Sequence, residues 1–223
     1  MKKIVISLFV ILGLTSFSAN ADMTNIGFRI TSAEMTASGS ETTNAGTSDI
    51  VTQSERNADF TMGSVFVERQ IEGVVGGNDV AIGLDLVPFT AEIDKLSGGD
   101  GFDATLEIGM LKTAYIQPMF KANDSVTLFV KAGYAQADLD ITDISRQATT
   151  AGTASTDGNT SKTLEGPMYG AGIQVATASV VDFIRLEGTV TDFDQISHTN
   201  SNGKILKADA ELTQISLSFV KSF

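Results

Sequence analysis

The sequence predicts an all-β protein, an eight-stranded antiparallel up-and-down transmembrane β-barrel. Three observations predict this fold. Eight segments alternate apolar and polar side chains with the period of two that a strand imposes. The connections between them are alternately long and short, as in outer-membrane barrels. No segment beyond the N-terminal one approaches the ~20 apolar residues of a membrane helix.

Composition narrows the classes of function. A length of 223 residues suits one domain, and 42% hydrophobic with 19% charged residues suits a folded chain. The net charge of -12 disfavours a nucleic-acid partner, because phosphate binding needs clustered Lys and Arg. The sequence contains no cysteine, which excludes disulfides, thiolate metal sites and thiol catalysis.

The N-terminal segment has the three parts of a secretory signal peptide. Lys2 and Lys3 precede an apolar run over 4–14, and the small residues that follow end in Ala19-Asn20-Ala21. We expect a cleavable signal peptide over 1–21 and a barrel over 22–223. A retained membrane helix is the alternative, which the short apolar run disfavours.

The first half of the predicted barrel holds four strands. Strand 1 covers 24–36, and a Ser/Thr/Gly-rich stretch over 38–53 is predicted as loop 1. Strand 2, 57–71, is partly apolar on both faces, so its register stays open. Strands 3 and 4 cover 80–93 and 104–120, separated by a Gly-rich break.

The second half holds the other four strands. Strand 5 starts at Val126, and loop 3 is predicted over 143–163. Strand 6 covers 164–178, strand 7 follows a short connection, and a further loop covers 199–207. Strand 8 is the terminal stretch, in which one face carries Ile215, Leu217, Phe219 and Phe223.

The polar faces of these strands carry isolated charges with small neighbours at i±2. An eight-stranded barrel has room inside only for side chains, so small neighbours suit inward-facing charges of both signs that neutralise one another. We therefore predict a structural charge network in the lumen, with Glu68 as a further candidate; the alternative is a set of solvated rim residues. Its predicted members are Arg29, Asp85, Glu107, Lys131, Arg185 and Glu187.

The apolar faces carry two exceptions. Lys112 falls on the nominal lipid face, where we expect it to mark a bulge or a change of parity. Lys221 is expected to reach the periplasmic rim. The sequence has no tryptophan, so the aromatic girdles are expected to rely on Phe besides Tyr115, Tyr134 and Tyr169.

The alternating strands, the signal peptide and the terminal Phe219-Val220-Lys221-Ser222-Phe223 resemble the small outer-membrane barrels of the OmpX, Opa-type surface antigen and OmpA-transmembrane-domain group. The resemblance implies an integral protein of the bacterial outer membrane with both termini in the periplasm. It also implies recognition by the barrel-assembly machinery through Leu217, Phe219 and Phe223. The implied role is structural or surface-interacting, with outer-membrane lipids around the barrel and an extracellular partner at loops 1 and 3.

No motif in the sequence predicts a cofactor, a metal site or catalysis. His198 is the single histidine, and one histidine among loop serines does not make a triad. The carboxylate pairs Asp138/Asp140 and Asp192/Asp194 are expected at the rim. Two alternatives to the surface role remain: a narrow porin-like channel, and a soluble exported lipocalin-like carrier.

Overall fold

A computed structural model describes residues 23–45, 48–98, 102–146, 160–199 and 205–223. The expected signal peptide lies outside them. The described residues form nine strand segments: β1 (Met23–Ala45), β2 (Ser48–Val75), β3 (Asn78–Leu86), β4 (Ala91–Gly98), β5 (Phe102–Lys121), β6 (Val126–Arg146), β7 (Thr160–Ala176), β8 (Phe183–Thr199) and β9 (Ile205–Ser222). Because β3 and β4 both pair with β5, they are two halves of one barrel strand.

The sheet closes into a ring, which confirms the predicted eight-stranded antiparallel up-and-down barrel. Sequence neighbours pair around the sheet, and β3 closes one side by pairing with β5. β1 pairs with both β2 and β9, where Ile30 lies opposite Leu217. At the lower end Thr24 and Phe223 exchange two backbone hydrogen bonds of 3.0 and 2.9 Å. Closure leaves no open edge at this junction.

Three short turns lie at the same end of the barrel as Thr24 and Phe223. The β2–β3 turn is Gly76-Gly77, whose φ angles of 59° and 85° suit a two-residue hairpin. In the β5–β6 turn the side chain of Asn123 accepts hydrogen bonds from the backbone N–H groups of Ser125 and Val126. In the β7–β8 turn Asp182 accepts the N–H of Ser222, which together with Lys221 lowers the pKa of the Asp182 carboxyl.

The prediction of loop 1 over 38–53 is wrong for most of its length. β1 continues to Ala45 and β2 begins at Ser48, with pairing from Ser38↔Glu55 up to Ala45↔Ser48. A segment rich in Ser and Thr can form a strand in water, because pairing with the neighbouring strand satisfies its backbone hydrogen bonds. The β-branched side chain of Thr also favours the strand conformation. Most of predicted loop 3 and the centre of the 199–207 loop, namely 147–159 and 200–204, lie outside the described residues.

The wall is irregular between β3 and β5. Residues 87–90 interrupt the strand between β3 and β4, and Phe89 there is 70% exposed. Opposite this break, Met110 has a φ of 52° and the β5–β6 register shifts between Gly109 and Lys112. The shift is a β-bulge and confirms the change of parity expected at Lys112.

The two halves of β3/β4 differ in their neighbours. β3 pairs with β2 on one side, from Val65 to Val75, and with β5 on the other. β4 pairs with β5, and no pairing joins it to residues 48–64 of β2 within the described chain. We call this unpaired boundary the seam.

In the lower half of the barrel the outward faces are apolar and the inward faces polar. The outward residues are about half exposed, for example Ile26, Val130 and Leu186 at 51, 48 and 51%. We call this outward band the belt. A soluble lipocalin-like barrel has the opposite arrangement, with its apolar faces inside. The belt therefore contradicts the soluble-carrier alternative and suits contact with lipid.

In the upper half the polarity of the two faces is reversed. On β1 the outward series Ile26, Phe28, Ile30 gives way to Ser32 and Glu34. The inward residues become apolar and buried, and we call them the apolar layer: Ala33, Met35, Met62, Val87, Ile108, Leu111, Ala135, Ala137, Leu164, Phe193 and Leu212. The upper half is thus built like a water-soluble barrel with its own core, standing above a membrane-spanning half.

No helix within the described residues is long and apolar enough to cross a membrane.

The reversal of polarity can be tested on one strand. Leu186 and Asp192 both face outward on β8, below and above the reversal. We expect Leu186→Arg to lower the free energy of unfolding in bilayers by about 2–4 kcal/mol, the cost of a cation near the bilayer midplane. Asp192→Arg should leave it nearly unchanged. Urea titration of both variants in lipid vesicles measures this, and equal costs would contradict the reversal.

Candidate functional site

A layer of six charged side chains crosses the lumen of the lower half. Arg29 comes from β1, Glu68 from β2, Asp85 from β3 and Lys131 from β6, while β8 supplies Arg185 and Glu187. All six are buried, between 0 and 9% exposed. Each stands at an inward position of its strand, so the alternation that places apolar residues in the belt also places these in the lumen. We call this set the charged layer.

Glu68 and Arg185 form the most fully satisfied pair of the layer. The two guanidinium nitrogens Nη1 and Nη2 donate to the two oxygens of Glu68, the first at 2.9 Å. Glu68 also accepts from Asn25 Nδ2 at 2.9 Å and from the Tyr115 hydroxyl at 3.0 Å. Arg185 Nε donates to Gln174 Oε1 at 2.6 Å. Bidentate geometry and three further polar partners are what a buried ion pair needs to offset its desolvation.

The other four charges form a chain of alternating sign. Arg29 Nη1 lies 2.6 Å from Asp85 and 3.0 Å from Glu187. Glu187 in turn receives the Nζ of Lys131 at 2.6 Å. Together with the first pair the layer has three cations and three anions, so its charges cancel. Neutrality is required because an uncompensated charge in this water-poor interior would be costly.

Aromatic rings fill the space between the charges. The Phe66 centroid lies 5.1 Å from the guanidinium carbon of Arg29 and 5.6 Å from that of Arg185. Lys131 Nζ stands 4.3 Å above the ring of Tyr115. Two inward glycines make room for these rings: a Cβ at Gly27 would lie 2.2 Å from Phe66 and one at Gly83 2.4 Å from Tyr115. The contacts of the cationic groups with Phe66 and Tyr115 are cation–π interactions, which add to the Coulomb attraction between the charges of the layer.

A small cavity lies against the upper side of the layer. Its volume is about 20 Å³, and Arg29, Ser64 and Asp85 are among its lining residues. That volume holds about one water molecule. Arg29 Nη2 and Ser64 Oγ are buried there without a protein partner, which suits a polar site of this size.

The structure brings five of the six predicted lumen residues together and leaves out Glu107. Glu107 is half-buried, and the next residue, Ile108, is the one that points into the apolar layer. The bulge at Met110 is the physical reason, because one extra residue moves every side chain above it to the opposite face. Alternation counted from Tyr115 without the bulge puts Glu107 inside.

Sequence reasoning missed several members or placed them wrongly. Glu68 is central to the layer, although the ambiguous pattern of strand 2 left it only a candidate. Tyr115 points inward to Glu68 and is 4% exposed, so its expected place in the outer aromatic girdle is wrong. For Asn25 and Gln174 the sequence indicates only that they stand at inward positions, and nothing in it indicates their contacts with Glu68 and Arg185.

The layer offers little to chemistry, because its ionised groups already hold one another. Among the described residues no group of three or more His, Cys, Asp and Glu side chains could hold a metal ion. His198 lies in β8, and its side chain is outside the described part. Asp192 and Asp194 are exposed, and Asp138 and Asp140 are half-buried, on the upper half of the barrel.

Of the three residues of the expected assembly signal, Leu217 and Phe219 lie on the outer face of β9, and Phe223 directly follows the strand. Leu217 is 40% and Phe223 73% exposed, and Phe219 is half-buried. They belong to the belt rather than to the lumen.

Comparison with known proteins yields structural likenesses alone. No protein-family model and no curated protein matches the chain. The structure of Neisserial surface protein A is similar at 12% identity, covering 88% of this chain and 97% of that one with a TM-score of 0.44. Ail, the attachment invasion locus protein of Yersinia pestis, is similar at 11% identity, covering 86% of this chain and 99% of its own with a TM-score of 0.34.

A third likeness is to the outer membrane protease OmpT of Escherichia coli, at 10% identity with a TM-score of 0.39, covering 93% of this chain and 99% of that one. Likenesses this distant carry nothing about function. The barrel architecture of this chain rests on its own strand pairing.

The charged layer predicts a large cost for removing one partner. Glu68→Gln leaves the buried guanidinium of Arg185 without its counter-charge, so we expect a loss of about 3–5 kcal/mol in the free energy of unfolding. Replacing both residues with Met should restore most of that loss. Equilibrium unfolding in micelles measures the free energy of unfolding of these variants. Glu34→Gln, on the exposed outer face, is the control and is expected to leave that free energy unchanged. A cost for Glu68→Gln equal to that of the control would refute the role of the pair.

Proposed function

We propose that this chain is an integral barrel of the bacterial outer membrane with a structural and surface-interacting role and no catalytic activity. The observation that carries the proposal is the reversal of polarity along the strands. A belt in the lower half suits insertion in lipid, and a polar outer face with an apolar layer inside suits a rigid extension into water. Such an extension holds a surface clear of the membrane for contact with partners.

The contents of the lumen favour this role over a channel. The charged layer fills the lower half with side chains that are ion-paired and hydrogen-bonded. The apolar layer stands above it, and its members are at most 8% exposed. An ion would have to displace the first and cross the second without hydration, and eight strands leave an interior just filled by side chains.

The expected orientation, with both termini in the periplasm, is supported by the connections. The three short turns share an end with Thr24 and Phe223. Outer-membrane barrels keep short turns on the periplasmic side and longer connections outside. The upper half of the barrel would then face the exterior.

We place the surface contact on this upper half. The β1–β2 hairpin, which replaces predicted loop 1, extends from it, and β6 and β7 end there at Arg146 and Thr160, on either side of predicted loop 3. Its described outer face is mostly acidic, with Glu34, Asp59, Asp192, Asp194, Asp209 and Glu211 exposed. A partner in contact with this face therefore needs a neutral or basic surface.

The closed lumen can be tested by conductance. Barrels inserted in planar lipid bilayers should give no current steps, because two layers seal the lumen in series. The Glu68→Gln variant should also give no current steps, since the substitution disturbs the charged layer and leaves the apolar layer in place. Regular single-channel steps from the wild-type protein would instead favour the narrow channel.

We also propose that the barrel-assembly machinery engages the outer face of β9. Leu217 and Phe219 share that face, Phe223 directly follows the strand, and β9 closes the ring by pairing with β1.

Replacing Phe223 with Ala should lower the amount of newly made barrel in the outer membrane severalfold. It should change the unfolding of barrel already folded much less, because Phe223 is 73% exposed. Cell fractionation and unfolding of the purified variant measure the two effects. Normal membrane levels of the variant would contradict the proposal, and Phe89→Ala, at a residue of similar exposure outside β9, is a matched control.

A further inference from the structure

A broad apolar concavity lies on the outer wall beside the break and the bulge. It is formed by the outward faces of β2, β3, β5 and β6 and has a volume of about 1090 Å³. Val67, Leu84, Ile116 and Tyr134 are among its lining residues. We call it the groove.

The floor of the groove is low because two small residues lie between larger ones. Ala114 on β5 pairs with Leu84 on one side and with Tyr134 on the other. In the next row Ala132 on β6 lies between Ile116 and Tyr169. Alternation of large and small outward side chains across three strands leaves a furrow that the side chains themselves do not fill.

The upper edge of the groove is polar. Lys112 pairs with Gln136, which pairs in turn with Glu165. Lys112 lines the groove and is half-buried, and no salt bridge joins it to another side chain in the described part of the protein. It stands where the belt ends and the polar outer face begins, the depth at which lipid headgroups lie.

A second copy of the barrel does not fit this surface. In a two-fold dimer the same patch faces itself, and two concave walls enclose a void. A convex wall from another side of a neighbour gives a head-to-tail contact, which leads to a ring of several copies or to an open filament rather than to a pair. Lipid chains, by contrast, can mould themselves to a furrow of this kind.

The volume suits more than one acyl chain. A methylene group occupies about the volume of a liquid water molecule, ~30 Å³, so the groove accommodates on the order of 36 such groups. The position of Lys112 suits an anionic headgroup at the upper end of those chains.

We propose that the groove is a binding site for a lipid with a net anionic headgroup, whose acyl chains lie over Ala114 and Ala132 and whose headgroup meets Lys112. The inference rests on the insertion of the barrel in a membrane and is independent of its surface role. It gives Lys112, one of the two charged exceptions on the apolar faces, a function as the headgroup contact.

The test uses the purified folded barrel in detergent micelles with equal amounts of phosphatidylglycerol and phosphatidylcholine. Native mass spectrometry counts the lipids that stay bound as the complex is activated. We expect the wild-type barrel to retain phosphatidylglycerol about fivefold over phosphatidylcholine, the ratio that one Lys–headgroup attraction supplies. Lys112→Gln should bring that ratio close to one.

A filling variant tests the chain site. Ala132→Trp places a ring on the floor of the groove and should lower the retention of both lipids. Ala171→Trp makes the same change on the exposed outer face of β7, where it does not line the groove, and should behave as wild type.

A wild-type ratio near one would overturn the proposal, and so would equal retention by all variants. Faster migration of unboiled than of boiled protein on a gel shows that each barrel is folded. A folded barrel that retains no lipid refutes the groove site alone, whereas the absence of any heat-modifiable form would refute the membrane barrel itself. Should Ala132→Trp not fold, Lys112→Gln decides the question.

Discussion

The interior of this barrel depends on the pair between Glu68 and Arg185. The two residues stand on strands separated in the ring by β1 and β9, so their contact spans the lumen rather than a neighbouring strand. Asn25, Tyr115 and Gln174 converge on the same pair. A closed sheet fixes which residues point inward, and the bidentate contact then fixes how five of those side chains lie. Arg29, Asp85, Lys131 and Glu187 complete the charge balance around it.

Much of this could be read from the sequence, because a strand alternates its faces at every residue. Arg29, Asp85, Lys131, Arg185 and Glu187 stand on strands whose alternation is clean, with small neighbours that leave them space. Their common inward orientation follows from parity, although parity does not say which of them touch. Pairing across a lumen depends on the register between strands that are far apart in the chain, and no local pattern encodes it.

Where local regularity is broken, the sequence misleads. The extra residue at Met110 shifts the alternation so that Glu107 does not point into the lumen. The left-handed position of this bulge is occupied by Met110 rather than by a glycine, so the sequence does not indicate the bulge. The Ser/Thr-rich stretch of the first hairpin has the composition of a loop. It nevertheless forms a ladder, because water tolerates polar side chains on both faces of a strand. Strand 2 was ambiguous for a related reason: the belt and the apolar layer meet within it, so each of its faces is apolar over part of its length.

The seam between β2 and β4 leaves a row of backbone N–H and C=O groups without strand partners in the described chain. Hydrocarbon cannot solvate such groups, and an unpaired backbone group there costs several kcal/mol. The seam therefore has to lie in water, which sets an upper limit for the lipid on this side of the barrel at about Val65 and Leu86, the last paired residues below it. Side-chain polarity places the boundary at the same height, since Thr61 and Asp59 follow outward on β2. The need to hydrate the unpaired backbone and the polarity of the side chains thus place the lipid–water interface at the same height. Lys112, which pairs with Leu86, lies at this interface.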